Sequence, residues 1–190
     1  MDSALWQARA TLAAHDVHFE PGVNEELAAT AVLGTQQLDF FGRARCEGVF
    51  AAWYGKGPGV DRAGDALKHG NLAGSARRGG VLVFAGDDHT GKSSTTCHQS
   101  EQALVAAFIP VLYPANVAEY LSLGRWGFEL SRATGLWVGF KCINDTADAA
   151  ATVPLIDPRL PFSAEKAEGL NIARGDSPWG QEPRTVEQRV

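Results

Sequence analysis

The chain has 190 residues, of which 45% are hydrophobic and 21% charged, a make-up that suits one globular domain with a single sizeable core. A formal net charge of -5, a pI near 5.5 and no Lys/Arg cluster longer than Arg77-Arg78 exclude the basic footprint of a nucleic-acid binder. No apolar run approaches the roughly 20 residues of a bilayer span, and the opening MDSALWQARA lacks a basic region followed by an apolar one, so a cytoplasmic protein with no nucleic-acid or membrane partner is expected.

Asp2 or Ser3 can cap a helix running through Leu5, Ala8, Leu12 and Ala13, and Val17 to Phe19 then reads as a strand before the Pro21-Gly22 turn. Asn24 is placed as an N-cap, with Glu25 and Glu26 in the first turn where negative charge suits the helix dipole, and Leu27, Ala31, Gly34 and Leu38 recur at helical spacing. Gly48 to Trp53 is a short strand that breaks into the glycine-rich loop GKGPGVD, after which Asp61 to Leu72 reads as helix. Gly79-Gly80 leads into VLVFAG, a continuous apolar run that fits a strand buried on both faces of a parallel sheet. The polar loop DDHTGKSSTTCHQS follows, then a short helix opened by Ser100 or Glu101, a strand from Ile109 to Tyr113, and a helix capped by Asn116 and stopped by Gly135. Leu136 to Ile143 is the last strand.

Strands alternating with helices at this spacing imply βαβ units, hence an α/β fold with an open, mainly parallel sheet and helices on both faces. The domain is expected over 1–147. From there the character changes, since five of the nine prolines fall at positions 154, 158, 161, 178 and 183, and 148–190 reads as an extended tail or linker. Cys46, Cys97 and Cys142 are an odd, widely spaced set without CxxC, so free and mostly buried thiols are expected, with no metal site.

Residues 86–93, GDDHTGKS, satisfy the phosphate-loop pattern after an apolar strand. In that reading Lys92 reaches the terminal phosphates and Ser93 holds magnesium. Asp87 and Asp88 oppose it by placing negative charge beside the supposed nest, and STTCHQS offers no apolar face for the helix that should follow.

The segments GVNEELAATAVLGTQQ, WYGKGPGVDRAGDALKHGNLAGSARRGGVLVFAGDDHTGKSSTTCHQSE and FIPVLYPANVAEY together resemble the pyrimidine-binding domain of thiamine-diphosphate-dependent indolepyruvate:ferredoxin oxidoreductases. The likeness runs from Ala4 to Ala147; the spacing from Glu25 to Gly34 is common among thiamine enzymes, whereas LKHGN, GGVLVFAGDD and HQSEQ in that order are more particular. It implies the thiamine-diphosphate-binding fold, and it makes Glu25, beside Asn24, the glutamate that hydrogen-bonds the aminopyrimidine ring. A carboxyl group there favours the imino tautomer, whose nitrogen can take the thiazolium proton. Lys68 and His69 are implied to end a helix facing the cofactor cleft, and Asp87, Asp88 and His89 to lie at a strand's carboxyl end, where open parallel sheets bind ligands. His98 matches less securely and receives no role.

What the resemblance implies for the whole enzyme is oxidative decarboxylation of a 2-oxoacid to an acyl-coenzyme A, with electrons passing through iron–sulfur clusters to ferredoxin. Relative to the family the chain begins after the first strand and its substrate loop, and it has neither the GDG-led magnesium motif nor the cluster cysteines. An N-terminally truncated domain is therefore expected. It would act in an oligomer beside a diphosphate-binding domain or subunit that holds magnesium, and would be inactive alone. The alternatives are the phosphate-loop nucleotide hydrolase built on Lys92 and Ser93, and a catalytically inactive interaction module.

Overall fold

A computed structural model of the chain describes residues 1–40, 44–76 and 78–154, and its centre is the run VLVFAG. This run forms β2, Gly80–Asp87, with a parallel strand on each side: β1, Phe50–Lys56, and β4, Trp137–Ile143. A two-residue strand, β3, Val111–Leu112, pairs with the far edge of β4 and gives the order β1-β2-β4-β3, all parallel. The fold is α/β, as the alternation of elements predicts. Val81, Leu82, Val83 and Ala85 are completely enclosed, because β2 has a strand on both sides and helices on both faces, and so its sequence runs continuously apolar.

The chain steps from β1 to β2 to β3 in one direction and returns from β3 to β4. Right-handed crossovers then place the helices on opposite faces of the sheet. On the face of Trp53, Val83 and Trp137 lie α3 (Glu25–Thr35), α4 (Gly57–Arg62), α5 (Gly64–Ala73) and α6 (Glu101–Ala106). On the face of Leu82, Val138 and Phe140 lies α7, Val117–Thr134, which comes close because residue 127 is glycine: a Cβ there would stand 2.7 Å from Leu82 Cδ2.

Three buried polar side chains join these layers. Asn71 on α5 donates from Nδ2 to Ala107 O at 2.8 Å and Phe108 O at 2.9 Å, while its Oδ1 accepts from the Trp137 N–H at 2.8 Å. Gln36, after α3, donates to Val49 O and accepts from the Ala76 N–H. Ser131 on α7 accepts from the Val81 N–H and donates to Leu136 O. Each satisfies backbone groups that the helices and sheet leave without partners at their ends, which is the condition for burying them.

The caps at Asn24, which accepts from the Leu27 N–H at 2.9 Å, and Asn116, and the left-handed stop at Gly135, lie where local chemistry predicts them. Other expectations need correction. The first helix is two short ones, α1 (Asp2–Gln7) and α2 (Arg9–Ala14), broken at Ala8, and neither Asp2 nor Ser3 caps it. Residues 17–20 form no strand, having none to pair with, and Phe19 instead stacks edge-on against Trp6. The glycine-rich loop after β1 is α4, with Pro58 in its first turn, where proline's fixed φ is tolerated. A short α8, Asn144–Ala147, closes the expected domain. Residues 148–154 form neither helix nor strand, and the rest of the expected tail lies outside the described residues.

Candidate functional site

Reversal of the winding opens the carboxyl edge of the sheet, where parallel α/β folds collect ligand sites. Asp87 and Asp88 stand there at the end of β2, but each directs its charge inward. Asp87 accepts from the Ser100 N–H at 2.8 Å and the Ser100 hydroxyl at 2.5 Å, and lies 3.6 Å from Lys141 Nζ. Lys141, on β4, donates to Glu101 Oε1 at 2.6 Å and sits over the Tyr113 ring at 4.8 Å. The Lys141 and Asp87 side chains are 3% and 0% exposed, so this network ties α6 to the sheet and has no free face for a ligand. Burial pushes the Glu101 carboxyl up, but the Lys141 hydrogen bond and charge, Glu101's own backbone N–H and the nearby His89 together hold it below its ordinary pKa.

Asp88 folds back into its own loop. It accepts from the Ser93 N–H at 2.7 Å, from the Ser93 and Thr90 hydroxyls, and from the Lys92 N–H. The Ser93 N–H is the largest cause of a carboxyl pKa held down to about 2, against an opposing push from burial. This carboxylate occupies the backbone donors that a phosphate loop would offer to nucleotide. Turns rather than a helix follow, and the next helix begins only at Glu101. His89 is exposed at the start of the loop, near enough to Glu101 to help lower its pKa.

Glu25 is placed differently. As the first residue of α3 it stands behind the Asn24 cap, and its carbonyl accepts from Trp53 Nε1 at 2.9 Å, which fixes the helix start over β1. Its side chain lies against Gly59 of α4, where a Cβ would come within 2.7 Å of Glu25 Cγ. Oε2 is 3.8 Å from Arg62 Nε, and the side chain remains 42% exposed. Val23 and Leu27, on either side of it in the chain, are 90% and 54% exposed.

Lys68 and His69 lie within α5, which continues to Ala73, and so do not end a helix as expected; both are exposed, and the His69 ring faces Asp65 on its own helix. The structure brings neither of them into contact with Glu25 or Asp87. What sequence reading passes over is α4, which seats Glu25 through Gly59 and Arg62 on one side and His98 on the other. The His98 ring packs on Gly57, 17% exposed, with Nδ1 3.7 Å from Asp61 Oδ2, and its N–H reaches Asp88 O. Lys56, the last residue of β1, donates from Nζ to Ser93 O at 3.1 Å. Pro58 behind a strand end was the available signal for this turn of helix.

Cys46 and Cys97 are exposed rather than buried as expected, and burial raises the pKa of the half-buried Cys142 thiol. Among the described residues no group of three or more His, Cys, Asp or Glu side chains could hold a metal. No family model and no curated protein matches the chain.

Proposed function

We propose that the chain is the aminopyrimidine-binding half of the site of a thiamine-diphosphate-dependent 2-oxoacid:ferredoxin oxidoreductase of the indolepyruvate type. The observation that carries this reading is Glu25: a carboxylate fixed at the start of an eleven-residue helix, seated on a glycine at the carboxyl edge of a parallel sheet, and left half open. Glu25 Oε1 has no hydrogen-bond partner among the described residues and is free to meet a ring N–H.

With thiamine diphosphate bound, the cofactor would supply carbon-nucleophile chemistry toward a 2-oxo group; Glu25 would be the residue to hold the aminopyrimidine ring and exchange a proton with it, its carboxylate positioned by Arg62 and Gly59. Asp87 fastens α6 to the sheet and Asp88 closes the 88–99 loop. The reading assigns the diphosphate and its magnesium to a second domain or subunit, and the iron–sulfur clusters, coenzyme A and ferredoxin to the complete enzyme, which is cytoplasmic and oligomeric. Among the described residues, no helix is long and apolar enough to cross a membrane.

Glu25→Gln in the assembled enzyme keeps the shape and removes the proton acceptor. The expected result is unchanged folding and a loss of 2-oxoacid-dependent ferredoxin reduction of roughly 100-fold or more. Turnover equal to that of the wild type removes the reading.

A further inference from the structure

At the opposite end of the sheet from Asp87, near the amino ends of β1 and β2, Glu47, Gly48, Arg78 and Arg132 line an open cavity of about 520 Å³. Backbone sets its walls. A Cβ on residue 48 would stand 2.2 Å from Arg78 O, so only glycine lets the chain before β1 run against the chain before β2. Arg132 rises from the last turn of α7 at a point tied to the sheet, because the neighbouring Ser131 hydroxyl accepts from the Val81 N–H and donates to Leu136 O.

The two arginines are held differently. Arg78 donates to Glu47, and both of these side chains are exposed. Arg132 is half-buried, and no ion pair among the described residues includes it. Its guanidinium lies over the Phe50 ring, 4.5 Å from the centre, and Phe128, four residues before it on the same helix face, packs on that ring with centroids 5.0 Å apart. Nη2 reaches only Arg78 O, at 3.4 Å, while Nε is shut off from solvent and has no hydrogen-bond partner. An aromatic face attracts a guanidinium but leaves its in-plane donors unanswered. A shielded donor on a charged group is strongly unfavourable until an acceptor reaches it, and the stack on Phe50 leaves the guanidinium able to turn in its plane toward the cavity.

We propose that this cavity binds a phosphate group, free or as a monoester, on Arg132 and Arg78, independently of the thiamine reading. Two arginines against one glutamate leave one positive charge, on a chain whose formal net charge is -5. A phosphate group offers three strong acceptor oxygens, enough to meet the Arg132 fork and an Arg78 donor together, whereas a carboxylate would repeat what Glu47 already gives Arg78. The carboxyl end of α7 opposes an anion, an effect confined to the last turn and smaller than a pair of charge-assisted hydrogen bonds. The bound group competes with Glu47 for Arg78, which gives the site a signature of its own.

The test is calorimetry of the full chain at low salt, titrated with inorganic phosphate and with phenyl phosphate. The wild type is expected to bind at one site; equal or weaker binding of the ester assigns it to the free ion, and tighter binding of the ester to a monoester. Arg132→Met should weaken binding roughly 10- to 100-fold. Arg132→Lys should recover part of the loss, since it restores the charge without the fork, and Glu47→Gln should tighten binding by releasing Arg78. If Arg132→Met lowers the Tm, Arg78→Met, on an exposed side chain, takes its place. Binding that survives both arginine changes, or that Glu47→Gln weakens, overturns the proposal, as does a wild-type chain that takes up neither probe at millimolar concentration.

Discussion

Asp88 shows how a charged residue at a ligand-binding edge can be fully engaged by the protein itself. Its carboxylate accepts two backbone N–H groups and two hydroxyls, and its pKa falls from 3.8 to about 2. A carboxyl depressed in the folded state contributes stability that is fully present above its unfolded pKa and lost as pH falls through the folded value. The 88–99 loop should therefore loosen between about pH 4 and about pH 2, the interval between those two values. Amide exchange at Ser93, corrected for its intrinsic pH dependence, is expected to accelerate over that interval in the wild type and to lose this acid limb in Asp88→Asn. Flat protection down to pH 2 would contradict the account. The pair DDH after an apolar strand was legible as a strand-end polar cluster. That both carboxylates turn inward was not, because their partners, Ser100 and Lys141 for one and Ser93 for the other, are reached only once the loop is folded.

At the scale of elements, legibility followed how local the cause is. Asn24, Asn116 and Gly135 act on backbone within one turn, and each performs its predicted role. The face of α3 depends on distant neighbours. The stripe Leu27, Ala31, Gly34 suggested the inward side, yet Leu27 is half exposed, while Ala29 and Gln36 are buried and Val32 and Leu33 pack against the core. Small residues serve that face because α3 lies close over both β1 and α5. The strand expected from Ile109 to Tyr113 contracts to Val111–Leu112, since it lies at the sheet edge and has only β4 to pair with. Helix α4 was hidden by Gly-Pro-Gly, which reads as a breaker until proline falls in the first turn. Its close approach to α3 makes a prediction. Gly59→Ala would place a Cβ 2.7 Å from Glu25 Cγ, so the carboxylate must shift while the packing of the sheet is untouched. Misplacement of a catalytic group by about 1 Å costs on the order of 100-fold in rate. If the proposed thiamine reading holds, Gly59→Ala should therefore lower 2-oxoacid turnover of the assembled enzyme by roughly 10- to 100-fold with little change in Tm, measured side by side. A large fall in Tm with proportionate activity would mean that Gly59 serves packing alone.

Across the whole molecule, the sheet manages its two edges unequally. One ends in β3, which is only two residues long and offers little to a foreign strand. The other is β1, seven residues in unbroken register with β2, with no proline, bulge or inward-pointing charge to blunt it. Phe50 is half exposed and Ala52 is exposed on the face turned away from α3. Cover at the far end comes from α1, whose Asp2 accepts a hydrogen bond from the Tyr54 hydroxyl; burial first, and this carboxylate second, raise the Tyr54 pKa to about 12. An edge of this kind is a template for strand addition. In the proposed assembly it would be covered by a partner; alone, the chain should self-associate in a concentration-dependent way. Sedimentation velocity at rising concentration is expected to show the weight-average coefficient climbing for the wild type, and Ala52→Lys, which adds a charge to the exposed face of β1, should hold it down. A wild-type chain that stays monomeric to its solubility limit would mean that α1 and α2 already shield the edge. A Lys variant that associates as strongly as the wild type would move the contact away from the β1 edge.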